Sequence, residues 1–290
     1  MINTTINDQL PLLERWFSTS MAQIYAQLAI PAPPGTILMS CPVYGPKYLD
    51  RFQSYCLPSL VSARNFAVLR GRCHFLLFTD QASFARLWGL VRILERGGIT
   101  AQIMLIDPAL MKVGEGDPMA KYWVLGVAGN IALQFAGRFG MAFHSLYPDH
   151  IYAHEYFPNL VRLAADHPAI VQPGISADIT TAWRDIEPWR NEDGNLAIPD
   201  RDLGTIAWKN LHHQTRASLM NRTTIPTAMP PSHLLVWQGC DRIVIHCPHM
   251  NPAYRSSLES QPAAWRKRFL MGETSALPSG TAVYPAFVEA

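Results

Sequence analysis

"CHFLLFTD", residues 73–80, is a short apolar run closed by a Thr-Asp pair. A run this short, without hydrophobic alternation, suits a strand buried on both faces, as the strands of a parallel sheet are. Downstream, "QASFARLWGLVRILERGG" (81–98) has the spacing of an amphipathic helix closed by two glycines, and "TAQIMLID" (100–107) is another apolar strand. Upstream, "TILMSCPVY" (36–44) is a strand of the same kind. "PKYLDRFQSYCLPSLVS" (46–62) follows it, with Pro46 at a first helical position and Tyr48, Phe52, Tyr55 and Ser59 at helical spacing.

The alternation continues outward. Asp117 and Pro118 pair as N-cap and N1 of a helix to Gly140, "MAFHSLY" (141–147) is a fourth strand, 155–167 a helix and "AIVQPGI" (169–175) a fifth strand. Strand and helix in this order predict an α/β fold: a mostly parallel central sheet flanked by helices. The chain divides into an N-terminal helix and Pro-rich hinge (1–35), the α/β half (36–175) and a C-terminal half (176–290). In that last part "DIEPWRNEDGNLAIPDRDLG" (185–204) reads as a long surface loop or lid, 201–222 as helix, and "HLLVWQ" and "RIVIHC" as hairpin arms around Gly239-Cys240-Asp241.

Composition narrows the classes. Of 290 residues, 49% are hydrophobic and 16% charged, which describes a folded protein with a sizeable core. A net charge of +2 supplies no field for nucleic acid. Five cysteines (41, 56, 73, 240, 247) form no CxxC pair and read as reduced thiols; Cys41 and Cys73 lie inside strands as core residues. With no signal peptide and no apolar run of about 18 residues, the expected location is cytoplasmic. Leu10, Leu13, Phe17, Met21, Ile24 and Leu28 fall on one helical face. That stripe caps the chain's own core, or meets a second copy or a membrane surface.

Open α/β sheets bind ligands at the carboxyl ends of their strands. Those ends carry Pro42-Val43-Tyr44, Thr79-Asp80, Asp107 and Tyr147-Pro148-Asp149. Neither a GxGxxG nor a Walker A sequence occurs, so a bound diphosphate needs another counter-charge, which a hard divalent ion or Lys121 near a helix start would supply.

The first strand "ILMSCPVYG", "LPSL" in the next helix, the strand ending "FLLFTD" and an acidic residue after the fourth strand resemble the nucleotide-binding half of GT-A-fold glycosyltransferases. The resemblance covers residues 36–175 and implies transfer of a sugar from a nucleotide-diphosphate donor to an acceptor. It implies Mn²⁺ or Mg²⁺ held by a D-x-D motif, which falls here on "PDH" with Asp149 as its single carboxylate, and a ligand histidine from the C-terminal half. On that resemblance the nucleotide contacts are Pro42, Tyr44, Thr79, Asp80 and Lys121, and the metal ligands Asp149, His246 and His249.

Inverting chemistry would add a base, for which Glu187, Asp193 and Asp202 are equivalent candidates. The literal D-x-D at Asp200-Arg201-Asp202 reads instead as the N-cap of a helix from Leu203. Trp183, Trp189 and Trp208 suit stacking on a sugar ring or anchoring their loop. In "FHSLYPDHIYAHEYF" (143–157) an extended backbone turns Asp149 away from His150 and His154, so His144, His150 and His154 read as polar edge and Glu155 as a helix start. Two other readings remain open: a metal-dependent hydrolase using Asp149, His246 and His249, and a non-catalytic scaffold that binds a partner through the N-terminal stripe.

Overall fold

The computed structural model describes residues 6–27, 33, 35–116, 120–167, 169–171, 174–217, 219–220, 233–236, 243–246, 252–255, 282–283 and 287–289. In chain order the strands are β1 (Ile37–Pro42), β2 (Cys73–Thr79), β3 (Thr100–Leu105), β4 (Ala142–Ser145), β5 (His150–Tyr152), β6 (Ala169–Val171), β7 (Gly174–Ser176), β8 (Leu219–Met220), β9 (His233–Val236), β10 (Ile243–His246), β11 (Pro252–Arg255), β12 (Ala282–Val283) and β13 (Phe287–Glu289). The helices are α1 (Ile6–Gln27), α2 (Pro46–Arg51), α3 (Leu57–Leu60), α4 (Ala63–Leu69), α5 (Phe84–Arg96), α6 (Pro108–Gly116), α7 (Ala120–Arg138), α8 (Tyr156–Ala164), α9 (Ile179–Ile186), α10 (Asp200–Lys209) and α11 (His213–Ala217). Contacts group these elements into two units that interleave along the chain: residues 1–50, 69–148 and 253–279, and residues 51–68, 149–252 and 280–290.

The first unit is built on parallel strands in the order β4-β1-β2-β3, with β11 added antiparallel to β4. Leu38 and Met39, like Leu76 and Leu77, point to opposite faces yet are all fully buried, so the sheet is covered on both sides. On one face α7 lies against β1 and β4, and α1 lies on α7. Leu13, Met21 and Ile24 of the N-terminal stripe enter this core together with Trp16, and Phe17 packs against it. The Trp16 indole N–H donates to the Leu105 carbonyl at 3.1 Å. The described side chains of the stripe thus cap the chain's own core, one of the readings the sequence left open, where each fully buried side chain of this size stabilises by roughly 1.5–3 kcal/mol. Asp117 and Pro118, the expected helix start, lie outside the described residues. No described helix is long and apolar enough to cross a membrane.

In the second unit β5, β13 and β7 form one small sheet, antiparallel and parallel to the shared middle strand. The expected fifth strand falls on two that pair differently: β6 with β12, and β7 with β13. The C-terminal hairpin has the expected arms, Val236 opposite Ile243 and His233 opposite His246.

Residues 51–68 join this unit rather than the sheet beside them in sequence because their polar groups are satisfied there. Asn65, fully buried, donates to Ser59 O at 3.0 Å and Ala153 O at 2.8 Å, and its Oδ1 accepts the Phe157 N–H at 3.0 Å. The Ser59 hydroxyl accepts the Tyr152 N–H, and Pro58 O accepts the Leu196 N–H. The helical run that opens at Pro46 widens into a π turn at Phe52–Cys56. Pro58 explains it: proline has no N–H for the Ser54 carbonyl, and its ring crowds that carbonyl. The Arg190 guanidinium takes up the orphaned Ser54 oxygen at 3.1 Å.

Arg190 also corrects the expected lid. It grips both carboxylate oxygens of Glu187 at 2.9 and 3.1 Å and the Gly194 carbonyl at 2.9 Å. Residues 187–189 are a 3₁₀ turn, and Arg190 and Leu196 close a bridge around Gly194. A charged fork, not length, sets this segment's shape. The expected N-cap at Asp202 is corrected too: Pro199 is the N-cap, α10 begins at Asp200, and both aspartates sit in its first turn where the helix dipole favours them.

Candidate functional site

The strand order β3-β2-β1-β4 carries the chain outward from β1 to β3 and then back across to β4. Its direction reverses between β1 and β4, and at the carboxyl ends of those two strands an open α/β sheet leaves a crevice. Pro42, Val43, Tyr44 and Gly45 lie there from β1, and Leu146 and Tyr147 from the end of β4. The β1 end is pinned: the Val43 N–H donates to Phe78 O at 2.7 Å and the Leu146 N–H to Ser40 O at 2.7 Å.

Gly45 turns the chain into α2 with φ +76, a conformation that other residues adopt only with strain. Asp80 holds the turn. Its carboxylate accepts the Gly45 N–H at 2.6 Å, the Ser83 N–H at 2.7 Å and the Ser83 hydroxyl at 2.9 Å. Burial would raise this carboxyl, but those bonds and the Ala82 N–H outweigh it and hold it below its ordinary value. Asp80 thus braces the β1 loop from the end of β2. Thr79 beside it is fully buried. Asp107 is likewise engaged, accepting Arg15 at 2.7 Å and the Ala109 N–H at 2.8 Å at the start of α6.

Tyr44 donates its hydroxyl to Lys121 O at 3.4 Å, and burial, then the neighbouring Tyr48, push its phenol far above its ordinary value. It is a neutral phenol at any physiological pH. Lys121 is exposed, its ammonium 4.8 Å from the Tyr122 ring centre.

In the second unit Asp149 pairs with Arg51 at 3.4 Å, with side-chain exposures of 15% and 23%. Its charge, after burial, helps hold the neighbouring Cys56 thiol far above its ordinary value. Cys41, Cys56 and Cys73 are all buried and lie outside any disulfide. His144 and His150 correct the polar-edge reading: both are buried, and the His150 Nδ1 lies 3.4 Å from the Tyr152 hydroxyl on the same strand face. Glu155 precedes α8 and pairs with Arg64.

A divalent ion at Asp149 would meet a carboxylate whose charge a guanidinium already balances. Among the described residues no group of three His, Cys, Asp or Glu side chains is placed to hold a metal. The His246 backbone belongs to β10, but its side chain and all of His249 lie outside the described residues.

The three carboxylates that sequence left equivalent separate here. Glu187 is locked by Arg190, and Asp193 is exposed in the turn. Asp202 lines a cleft of about 260 Å³ with Asp185, Trp189, Thr205, Ile206 and Lys209. Trp189 packs partly into the second unit's core, whereas Trp183 is 44% exposed. Asp185 and Lys209 carry no signal that sequence reasoning used; only the i, i+3, i+4, i+7 spacing of Asp202, Thr205, Ile206 and Lys209 on α10 would have found that wall.

Two histidines set an acid limb of stability. Burial holds His74 below its ordinary 6.5 despite a hydrogen bond with Gln102. Burial and then the Arg64 charge hold His154 below it, against Asp200. Between those lowered values and 6.5 the unfolded chain binds protons that the fold refuses, so stability falls as pH falls, by up to about 1.4 kcal/mol per pH unit for the buried His74 and by less for His154, which solvent screens. Asp80 and Asp107 extend the loss below about 3.8, as their engaged carboxylates take up protons. Urea midpoints at pH 7.5 and 5.5 should differ accordingly, and His74→Leu should narrow the gap. A midpoint independent of pH across this range would refute the assignment.

No protein-family model matches the chain, and no curated protein matches it in sequence. Solved structures that match in part include S. aureus TarS 1–349, at 12% identity over 49% of this chain and 36% of that one, with a TM-score of 0.33. A Bacillus anthracis structure described as a glucose-1-phosphate thymidylyltransferase in complex with a sucrose matches at 13% identity over 49% and 56%, TM-score 0.31. Mouse xyloside xylosyltransferase 1 in its apo form matches at 12% over 53% and 58%, TM-score 0.30. The matches thus span 36–58% of those chains, and likenesses of this size fix no activity.

Proposed function

We propose that this protein is a glycosyltransferase that takes a sugar from a nucleoside-diphosphate donor bound at the reversal between β1 and β4. The observation that supports it is that reversal, with a braced Pro42-Val43-Tyr44-Gly45 loop at the carboxyl end of β1. The neutral, half-buried Tyr44 would bound the nucleoside, its aromatic face being suited to a base, while Pro42 is buried beneath the loop. Lys121 would supply positive charge to the diphosphate. Asp80 acts through the loop rather than on the ligand.

Thermal unfolding with UDP, GDP, CMP and UDP-sugars, each with EDTA or with Mn²⁺, tests this. A nucleotide at a hundred times its Kd stabilises by about 2.7 kcal/mol. We expect a shift with one nucleotide class in EDTA, reduced by Tyr44→Ala. If no nucleotide shifts a well-folded sample, the proposal fails.

A further inference from the structure

The cleft between α10 and the end of α9 is itself a built surface. Asp202, Thr205, Ile206 and Lys209 share one face of α10, and Asp185 and Trp189 form the opposite wall. The wall beside Trp189 is fixed in advance, because Arg190 ties Glu187, the Gly194 carbonyl and the Ser54 carbonyl together. Ile206, 8% exposed, makes an apolar floor. Asp185 bridges the Lys209 ammonium and the Asn210 amide, both at 2.9 Å, so the ammonium is held in place and its charge is matched. Thr205 donates its hydroxyl hydrogen to Arg201 O at 2.8 Å and so presents lone pairs outward. Among the described residues no side chain engages the Asp202 carboxylate.

We propose that this cleft binds a single sugar ring. An indole beside an apolar floor matches the C–H face of a pyranose. The Asp202 carboxylate accepts from ring hydroxyls, and the Lys209 ammonium donates to them. One carboxylate is left uncompensated, which disfavours phosphate and carboxylate ligands and keeps the donor's diphosphate out. The volume lies below the roughly 300–1,000 Å³ of drug-sized pockets, which limits the occupant to about one ring. Only the ring's identity as the acceptor rests on the transferase reading; its binding does not.

The test titrates the full chain with glucose, galactose, N-acetylglucosamine and cellobiose, with choline as a cationic control, following Trp fluorescence and saturation-transfer NMR. At least one saccharide should bind in the millimolar range or tighter. Asp202→Asn, which keeps the shape of the side chain, should weaken binding at least tenfold, and Trp189→Ala should abolish it. Binding should be unchanged when UDP is present. If no saccharide binds, if binding survives Asp202→Asn, or if choline binds more tightly than every sugar, the proposal is overturned. Because the readout needs no nucleotide, sugar binding without any nucleotide shift would leave this inference standing and remove the transferase.

Discussion

Asn65→Ala should lower the free energy of unfolding by about 4 kcal/mol, most of the margin of an ordinary domain. The side chain is fully buried and all three of its bonds are to main chain. Removing it strands the Ser59 carbonyl and the Phe157 N–H, each costing roughly 1–3 kcal/mol, and takes one of two bonds from the Ala153 carbonyl, which keeps the Tyr156 N–H, less what a water admitted to the cavity restores. Asn65→Asp should do no better than alanine, because a carboxylate would face the Ser59 and Ala153 carbonyls with no hydrogens to offer. The measurement is urea unfolding, with the midpoint lowered and the slope unchanged. A loss under about 1 kcal/mol for both variants would show that Asn65 does not tie 51–68 to the second unit.

Asp80→Ala should cost about 2 kcal/mol in stability and weaken nucleotide binding at least tenfold. The stability figure is modest because water competes for a half-buried carboxylate. The binding loss follows from the loop. Without the acceptor at 2.6 Å, Gly45 keeps only its carbonyl bond from the Leu49 N–H among the described residues, and can move from φ +76 toward the more open conformations a glycine can reach. Asp80→Asn keeps one oxygen for the Gly45 N–H and should recover most of the affinity. Isothermal titration with the nucleotide found by thermal shift separates the roles. Full affinity in Asp80→Ala would place the nucleotide away from the β1 loop.

What the sequence discloses depends on how far away each element's partner lies. The strands β1 to β4 read directly, because a strand buried on both faces must be apolar throughout and its neighbours follow within one helix. "HIY" at 150–152 reads as extended, but its partner does not, since β5 and β7 pair with β13, more than a hundred residues on. The strand-end aspartates were legible as a site and less so as individuals. Asp80 and Asp107 brace loops with geometry that only the Gly45, Ser83 and Ala109 N–H groups define. Asp149 carried a motif position, but its partner Arg51 belongs to a helix that nothing in the sequence ties to it. The "lid" misled because acidic, turn-rich composition describes exposure, whereas the shape of 187–196 comes from one arginine.

The place of β13 between β5 and β7 also has a meaning in time. During synthesis the two outer strands leave the ribosome first and have no ladder of their own. They wait for a strand about a hundred residues later, roughly 5–20 s at ordinary elongation rates. Through that interval both present open hydrogen-bonding edges, the kind that recruit foreign strands. The growing chain is therefore most in need of a chaperone between the emergence of Ser176 and that of Phe287, and slow translation of this stretch should reduce soluble yield more than the same delay before Ile37.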